Sequence, residues 1–358
     1  LTRATRPRPA AMRAERLRDG PGFLRGGPRR LRDGPWHLRS GPWFLRDWPW
    51  RVSPWRLFLL VWAALLSGCA YRNAPFTPYA PALYEVVPAE TAASGGGRAY
   101  LFGAIHTGLS RFYPLPDAVE RTWAQATHLA CELDAQARHA ELRAAFSRRT
   151  HLPDGMTLDT LVAPEVLHGI RTHLGYGPHE WRQRLRLQPW ALAMLMTSAD
   201  DQRLGTETAQ SVDNFFLARA RAAGRPILEL ERVDEQVHAF SGGSLEEQAE
   251  WLTQRYQRLL RWERTLYDVV EAWRTGDDGA LAVVKERAFG PVSADPAANA
   301  LRARMFAERD ARMAERLVET IRGGGTVFAL VGAFHLVGED RLQKHLEARG
   351  MIVRRVAY

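Results

Sequence analysis

Apolar positions along this chain change their spacing three times. The stretches "AYLFGA" and "HLACELD" are short apolar runs bounded by turn residues, and they predict two buried strands, the second with Glu132 and Asp134 near its end. Between Glu141 and Arg322 the spacing becomes mostly helical. "PEVLHGIRTHLG" predicts a helix that stops at Gly175, and "PWALAMLMTSA" is apolar all round and so predicts a buried one. One strand interrupts this block: in "AAGRPILELE" a helix ends at Gly224 and a strand runs on to Glu231. Ser244 and Glu247 have the spacing of a capping box ahead of a long helix whose Trp251, Tyr256, Leu259, Leu260 and Trp273 read as a packing stripe. "ALRARMFAERDARMAERLVETI" predicts a second long helix, and "TVFALVG", "EDRLQKHLEARG" and "MIVRRV" close the chain as strand, helix, strand. The expected fold is α/β: a small sheet built from both ends of the chain, with a large helical insertion between them.

The residues before Arg98 read differently. From Leu17 to Arg51 a seven-residue unit recurs as "LRDGPGF", "LRGGPRR", "LRDGPWH", "LRSGPWF" and "LRDWPWR". Gly-Pro in most units removes a helix donor about every two turns, which excludes a coiled coil. Residues 1–51 are expected to be translated repeat DNA upstream of a true start near Val52, and peptides from 17 to 50 recovered from cells would contradict this. Residues 52–69 read as a signal peptide: Arg56 flanks an apolar run, Leu57 to Leu66, too short to span a bilayer. Leu66-Ser67-Gly68-Cys69 resembles the lipobox of bacterial lipoproteins, which makes Cys69 the expected lipidation site and, with Ala70 after it, the periplasmic face of the outer membrane the expected location. Residues 70–97, rich in Pro, Ala and Gly, read as a tether, and 98–358 as the folded domain.

Charge changes the picture only once it is located. The net charge is +9, but residues 1–69 alone carry +10, so the remainder is close to neutral and nucleic acid is not an expected partner. The only other cysteine, Cys131, falls in a predicted buried strand and reads as a core residue. There is no Gly-x-Ser-x-Gly elbow, phosphate-binding glycine loop or Cys-x-x-Cys pair.

Candidate chemistry lies in a repeated feature. "YLFGAIHTG" and "FALVGAFHLVG" each place Gly-x-x-His behind an apolar strand, with His106 in the first and His335 in the second. Both histidines are therefore expected at carboxyl ends of strands, the edge where open α/β sheets bind ligands. Asp134, two residues after Glu132, should point the same way and reads as a reserve ligand. Glu339 and Asp340 read as acids complementing the dipole of the following helix. The remaining histidines considered, among them His173, show no paired spacing and read as surface or incidental.

"LFGAIHTGLSRFYPLPDAVERTWAQATHLACELD" and "GTVFALVGAFHLVGEDRLQKHLEARGMIVRRV" resemble the opening and closing motifs of the TraB/PrgY/GumN family, which includes the Tiki proteases. "MTLDTLVAPEVL", "QPWALAMLMT", "VDNFFLARARAAGRPILELERVDEQVHAF" and "ERDARMAERL" resemble its middle segments in order. The resemblance implies a metal-dependent hydrolase acting on peptides or protein segments. It maps His106 and His335 onto the family's paired histidines, Glu132 onto its acid, Glu231 onto its Leu-Glu glutamate, and Asp213 and Arg309 onto further motif positions. Ser211 replaces a usual glycine and Asp310 a usual asparagine.

Two imidazoles and a carboxylate suit a divalent ion (Mn, Co, Zn or Fe) with positions left open for water and substrate. Glu231 is a candidate general base and Arg309 a candidate oxyanion stabiliser, and the two read equally as a buried ion pair. The alternative function is a non-catalytic lipoprotein holding a peptide, haem or metal in the same cleft.

Overall fold

The computed structural model describes residues 78–90, 96–203, 205–259, 262–292 and 296–358. The heptad leader, the signal segment, Cys69 and the first part of the expected tether lie outside the described residues.

Six strands make one sheet: β1 (Leu83–Pro88), β2 (Arg98–Ala104), β3 (His128–Cys131), β4 (Ile227–Glu229), β5 (Thr326–Gly332) and β6 (Met351–Arg355). Their order is β4-β3-β5-β2-β1-β6. The first four in that order are mutually parallel, and β1 runs against both β2 and β6. The two ends of the chain thus interleave, with β5 seated between β3 and β2, and the mixed sheet with helices between its strands is the expected α/β architecture.

Side chains alternate across the sheet, and both faces are covered. Phe102, Leu129, Phe328 and Leu330 pack on one face with Trp123, Phe216 and Trp273. Leu101, Ala130, Val327 and Ala329 pack on the other with Met313, Leu317, Ile321 and Leu346. Much of the inserted helical block has a core of its own around Leu158, Ile170, Leu192, Met196 and Leu252. Local signals hold where they are chemically specific. The helix Pro164–Leu174 ends at Gly175 with φ of 70°, and Ser244 and Glu247 exchange both bonds of the capping box.

Three expectations are corrected. The strand β1 lies inside the span read as tether, with Leu83 and Val86 fully buried, so the folded domain begins well before Arg98. The helix after Ser244 is two helices, Leu245–Arg258 and Trp262–Thr275. The second long helix contains a π turn, Ala303–Ala307, between Pro296–Arg302 and Glu308–Arg322, and that wider turn sits immediately before Arg309 and Asp310. Among the described residues no helix is long and apolar enough to cross a membrane.

Candidate functional site

Parallel strands deliver their carboxyl ends to one edge. His106 follows β2 by two residues, Glu132 follows β3 directly, Glu231 follows β4 by two, and His335 lies on a 3-10 turn, Ala333–Leu336, just past β5. The pairing of β2 with β5 sets Ala104 opposite Gly332 and so brings the two Gly-x-x-His turns side by side. Trp273 fastens the first of them from the helical block, donating from Nε1 to the carbonyl of Gly103 at 2.8 Å.

Glu132 is the centre of the arrangement. Its Oε2 accepts from Arg309 Nη2 at 2.8 Å, and its Oε1 accepts from the Gly332 N–H at 2.5 Å. The same Oε1 faces His106 Nε2 at 3.9 Å and His335 Nε2 at 3.7 Å. Burial would raise this carboxyl, but Arg309 and the two imidazoles outweigh burial and hold it well below the usual carboxylate range. Arg309 also donates from Nε and Nη2 to the two oxygens of Glu231, at 2.7 and 2.6 Å, and from Nη1 to the Met305 carbonyl. Glu231 and Arg309 are both buried, and both oxygens of Glu231 are engaged by the guanidinium. Of the two roles open from sequence, the geometry is that of an internal ion pair bracing Glu132.

Each histidine is oriented by its own carboxylate. His106 Nδ1 bonds Asp213 Oδ2 at 3.0 Å, and His335 Nδ1 bonds Asp310 Oδ1. With Nδ1 held by a carboxylate, both rings turn Nε2 toward Glu132, the orientation that metal-binding histidines use. Asp213 raises the His106 imidazole to about 9 against the opposing effect of burial. The ring nevertheless keeps 61% of its side-chain surface open to solvent, and water screens the pair, whereas His335 is buried against Phe306. Asp213 lies in the first turn of the helix Val212–Ala222, which Ser211, the residue at the variant position, caps by accepting from the Asn214 N–H. Asp310 is fully buried, and its Oδ2 meets no donor among the described residues.

The glycine at 332 is required by space rather than by backbone conformation, since its φ of −55° suits any residue. A Cβ there would lie 2.8 Å from His106 Nε2 and 3.2 Å from Glu132 Oε1. Gly332→Ala is expected to swing the His106 ring away from Glu132 while leaving the fold intact, at about 1–3 kcal/mol, as overpacking does. NMR titration of His106 reads this directly, and an unchanged resonance and midpoint would contradict it.

As a donor set, two imidazole Nε2 atoms and one carboxylate oxygen fit a divalent ion in chemistry, and the space that a Cβ at Gly332 would occupy lies between two of them. The fit in distance is incomplete. Among the described residues no three His, Cys, Asp or Glu side chains stand close enough together to hold an ion. Bonds of about 2.1 Å in a tetrahedral site place ligands roughly 3.4 Å apart, so each Nε2 would have to approach Oε1 by roughly 0.3–0.5 Å.

Other expected positions stand apart. Both oxygens of Asp134 bind Arg221 at 2.6 Å, which takes it out of the set as a reserve ligand. Asp340 does not serve a helix dipole: its carboxylate accepts from Lys285 and Arg302, at 3.0 and 3.3 Å. His173, read as incidental, is partly buried and bonded to Asp200 at 2.7 Å. Sequence reasoning gave no role to Asp310 or Lys285. Asp310 could have been suspected from its place beside Arg309, whereas Lys285 carries no signal that separates it from a surface lysine.

The TraB/PrgY/gumN family profile matches residues 90–355. The chain is 24% identical to "Uncharacterized protein YbaP" of Shigella flexneri, and likewise of Escherichia coli K12, over 147 residues, or 40% of this chain and 52% of that protein. It is 22% identical to "Metalloprotease TIKI2" of Danio rerio over 70% of this chain and 57% of that protein. The chain thus spans about half the length of the curated relatives it matches. No solved structure matches it. A match that runs from before β2 through β6 and takes in every residue of the site makes the chain a member of the TraB/PrgY/gumN family.

Proposed function

We propose that this protein is a metal-dependent hydrolase acting on peptides or exposed protein segments, with His106, Glu132 and His335 holding a divalent ion. One observation carries the reading: the two Nε2 atoms converge on one oxygen of a buried carboxylate while each Nδ1 is occupied by an acid. Similarity to a protein named as a metalloprotease supports the same class. A bound divalent ion supplies Lewis-acid polarisation of a scissile carbonyl and activation of water at neutral pH. The residues of the chain do the rest by position. Arg309, fixed by Glu231, holds Oε2 of Glu132 and so turns Oε1 toward the histidines. His335 and Asp310 form the buried wall of the site, and the open face of His106 is the side from which substrate approaches.

The test is to load the purified chain with Mn, Co, Zn or Fe in turn and to compare bound metal and peptide cleavage with His106→Ala and His335→Ala. Metal affinity is expected to fall more than about 100-fold in each variant, beyond the range for outer partners, with cleavage lost in parallel. Metal retained by both variants would overturn the assignment. Metal bound by the parent chain without cleavage of any peptide would make it a binding protein instead.

The proposal includes an acyl anchor at Cys69 on the periplasmic face of the outer membrane, on the strength of Leu66-Ser67-Gly68-Cys69. Labelled palmitate incorporated by the parent chain but not by Cys69→Ser is the expected result, and equal labelling would refute it.

A further inference from the structure

The buried ammonium of Lys285 has no part in the site as described so far. Lys285 lies on the helix Asp278–Phe289 and is fully buried, a placement that is strongly unfavourable unless the ammonium's donors are met. Its Nζ donates to the Val337 carbonyl at 3.0 Å and to Asp340 Oδ1 at 3.0 Å, and it sits 4.0 Å from the centre of the Phe306 ring. Those three contacts converge on one neighbour. Val337 follows the turn that carries His335, Asp340 lies three residues further on, and the Phe306 ring packs against the His335 imidazole with centres 5.3 Å apart. Arg302 completes the grip by donating to the same Asp340 oxygen.

We propose that Lys285 is a positioning residue: it clamps the segment after His335 and the ring packed on that histidine, and so sets the direction in which His335 Nε2 points. The inserted helical block thereby holds one side of the site that the two chain ends build. A methionine of similar length would fill the same volume without a buried charge, so packing alone does not call for lysine here. A backbone carbonyl two residues from the histidine does call for a donor, and only a cation also satisfies Asp340 and the aromatic face. The consequence for ion binding rests on the function proposed above, while the consequence for the ring does not.

The experiment uses the full chain with Lys285→Met, Asp340→Asn and, as control, the exposed Lys344→Met. In the metal-free chain, the far-downfield imidazole N–H of the His335–Asp310 bond is followed by NMR with labelled histidine. In parallel, Co²⁺ is titrated and its visible absorption recorded. Lys285→Met is expected to shift or broaden the imidazole signal, to raise the Co²⁺ dissociation constant about 10-fold, as loss of an outer partner does, and to alter the absorption bands. Asp340→Asn should act in the same direction by a smaller factor, and Lys344→Met should change neither. Should Lys285→Met not fold, Asp340→Asn decides alone. An unchanged imidazole signal and unchanged Co²⁺ affinity in the folded variants would overturn the proposal. Failure of the parent chain to bind Co²⁺ would overturn the metal function instead, leaving the imidazole signal to judge Lys285.

Discussion

Replacing Glu132 by alanine is expected to destroy ion binding and to destabilise the fold by about 3 kcal/mol, near the lower end of the range for breaking a buried ion pair. The loss has two sources. The Gly332 N–H gives up its acceptor in the interior, at about 1–3 kcal/mol. Arg309 loses one of its two carboxylates but keeps both oxygens of Glu231, which is why the cost stays low in that range. Glu132→Gln separates charge from shape: it can still accept from Gly332, so it should fold better than the alanine variant yet bind metal equally poorly. The two also differ in acid. Because the folded carboxyl is held below its ordinary value of 4.5, Glu132 stabilises the fold fully above that pH, and its contribution drains away as pH falls further. The glutamine variant should therefore show a flatter decline below pH 4.5. Denaturant unfolding between pH 3 and 7, with a Co²⁺ titration at pH 7, checks both claims. Retained ion binding, or a stability loss under about 1 kcal/mol in the alanine variant, would show that Glu132 is not the centre of the site.

A chain beginning at Arg98, where the sequence places the start of the domain, is expected not to fold, whereas one beginning at Tyr71 should. Removing the preceding residues deletes β1 and leaves β6 without a neighbour in the sheet. Leu83 and Val86 are fully buried, and Tyr84 and Val87 nearly so, each worth about 1.5–3 kcal/mol when taken out of water. Their sum is on the order of 6–12 kcal/mol, as large as the whole stability of many domains. Two flanking anchors go with them: the Ala80 N–H bond to the Arg274 carbonyl at 2.7 Å and the Tyr79 hydroxyl bond to the Phe112 carbonyl at 2.7 Å. Circular dichroism and thermal unfolding of the two chains give the answer. A cooperative transition at the same midpoint for both would show that β1 is dispensable.

These two cases mark how far the sequence could be read. The Gly-x-x-His turns were legible because a strand, a glycine and a histidine repeat in a fixed order, and their meeting followed from the need of two distant chain ends to build one sheet. The stops and caps at Gly175 and Ser244 were legible because they act within four residues. The strand β1 was not, because "LYEVVP" is short, follows Pro81 closely and ends in Pro88, and finds its partners in β2 and, more than 260 residues away, in β6. Nothing local distinguishes it from linker. The partners of Asp310, Lys285 and Asp340 were hidden for a related reason. Lys285 sits in "VVKER", which reads as the solvated side of a helix, and only the packing of that helix on the turn after His335 turns its ammonium inward.

The position of β5 between β3 and β2 bears on how such a molecule comes into being. Synthesis proceeds from the amino end, so a polypeptide still attached to the ribosome before Thr326 has two separate strand pairs, β1 with β2 and β3 with β4, and a Glu132 that lacks both the Gly332 N–H and His335. The meeting of His106, Glu132 and His335 waits for β5 to slot into the gap between β3 and β2, a long-range closure that also slows folding. A site wired in this way is incomplete while the chain is being made, and it closes only when β5 and the turn behind it arrive.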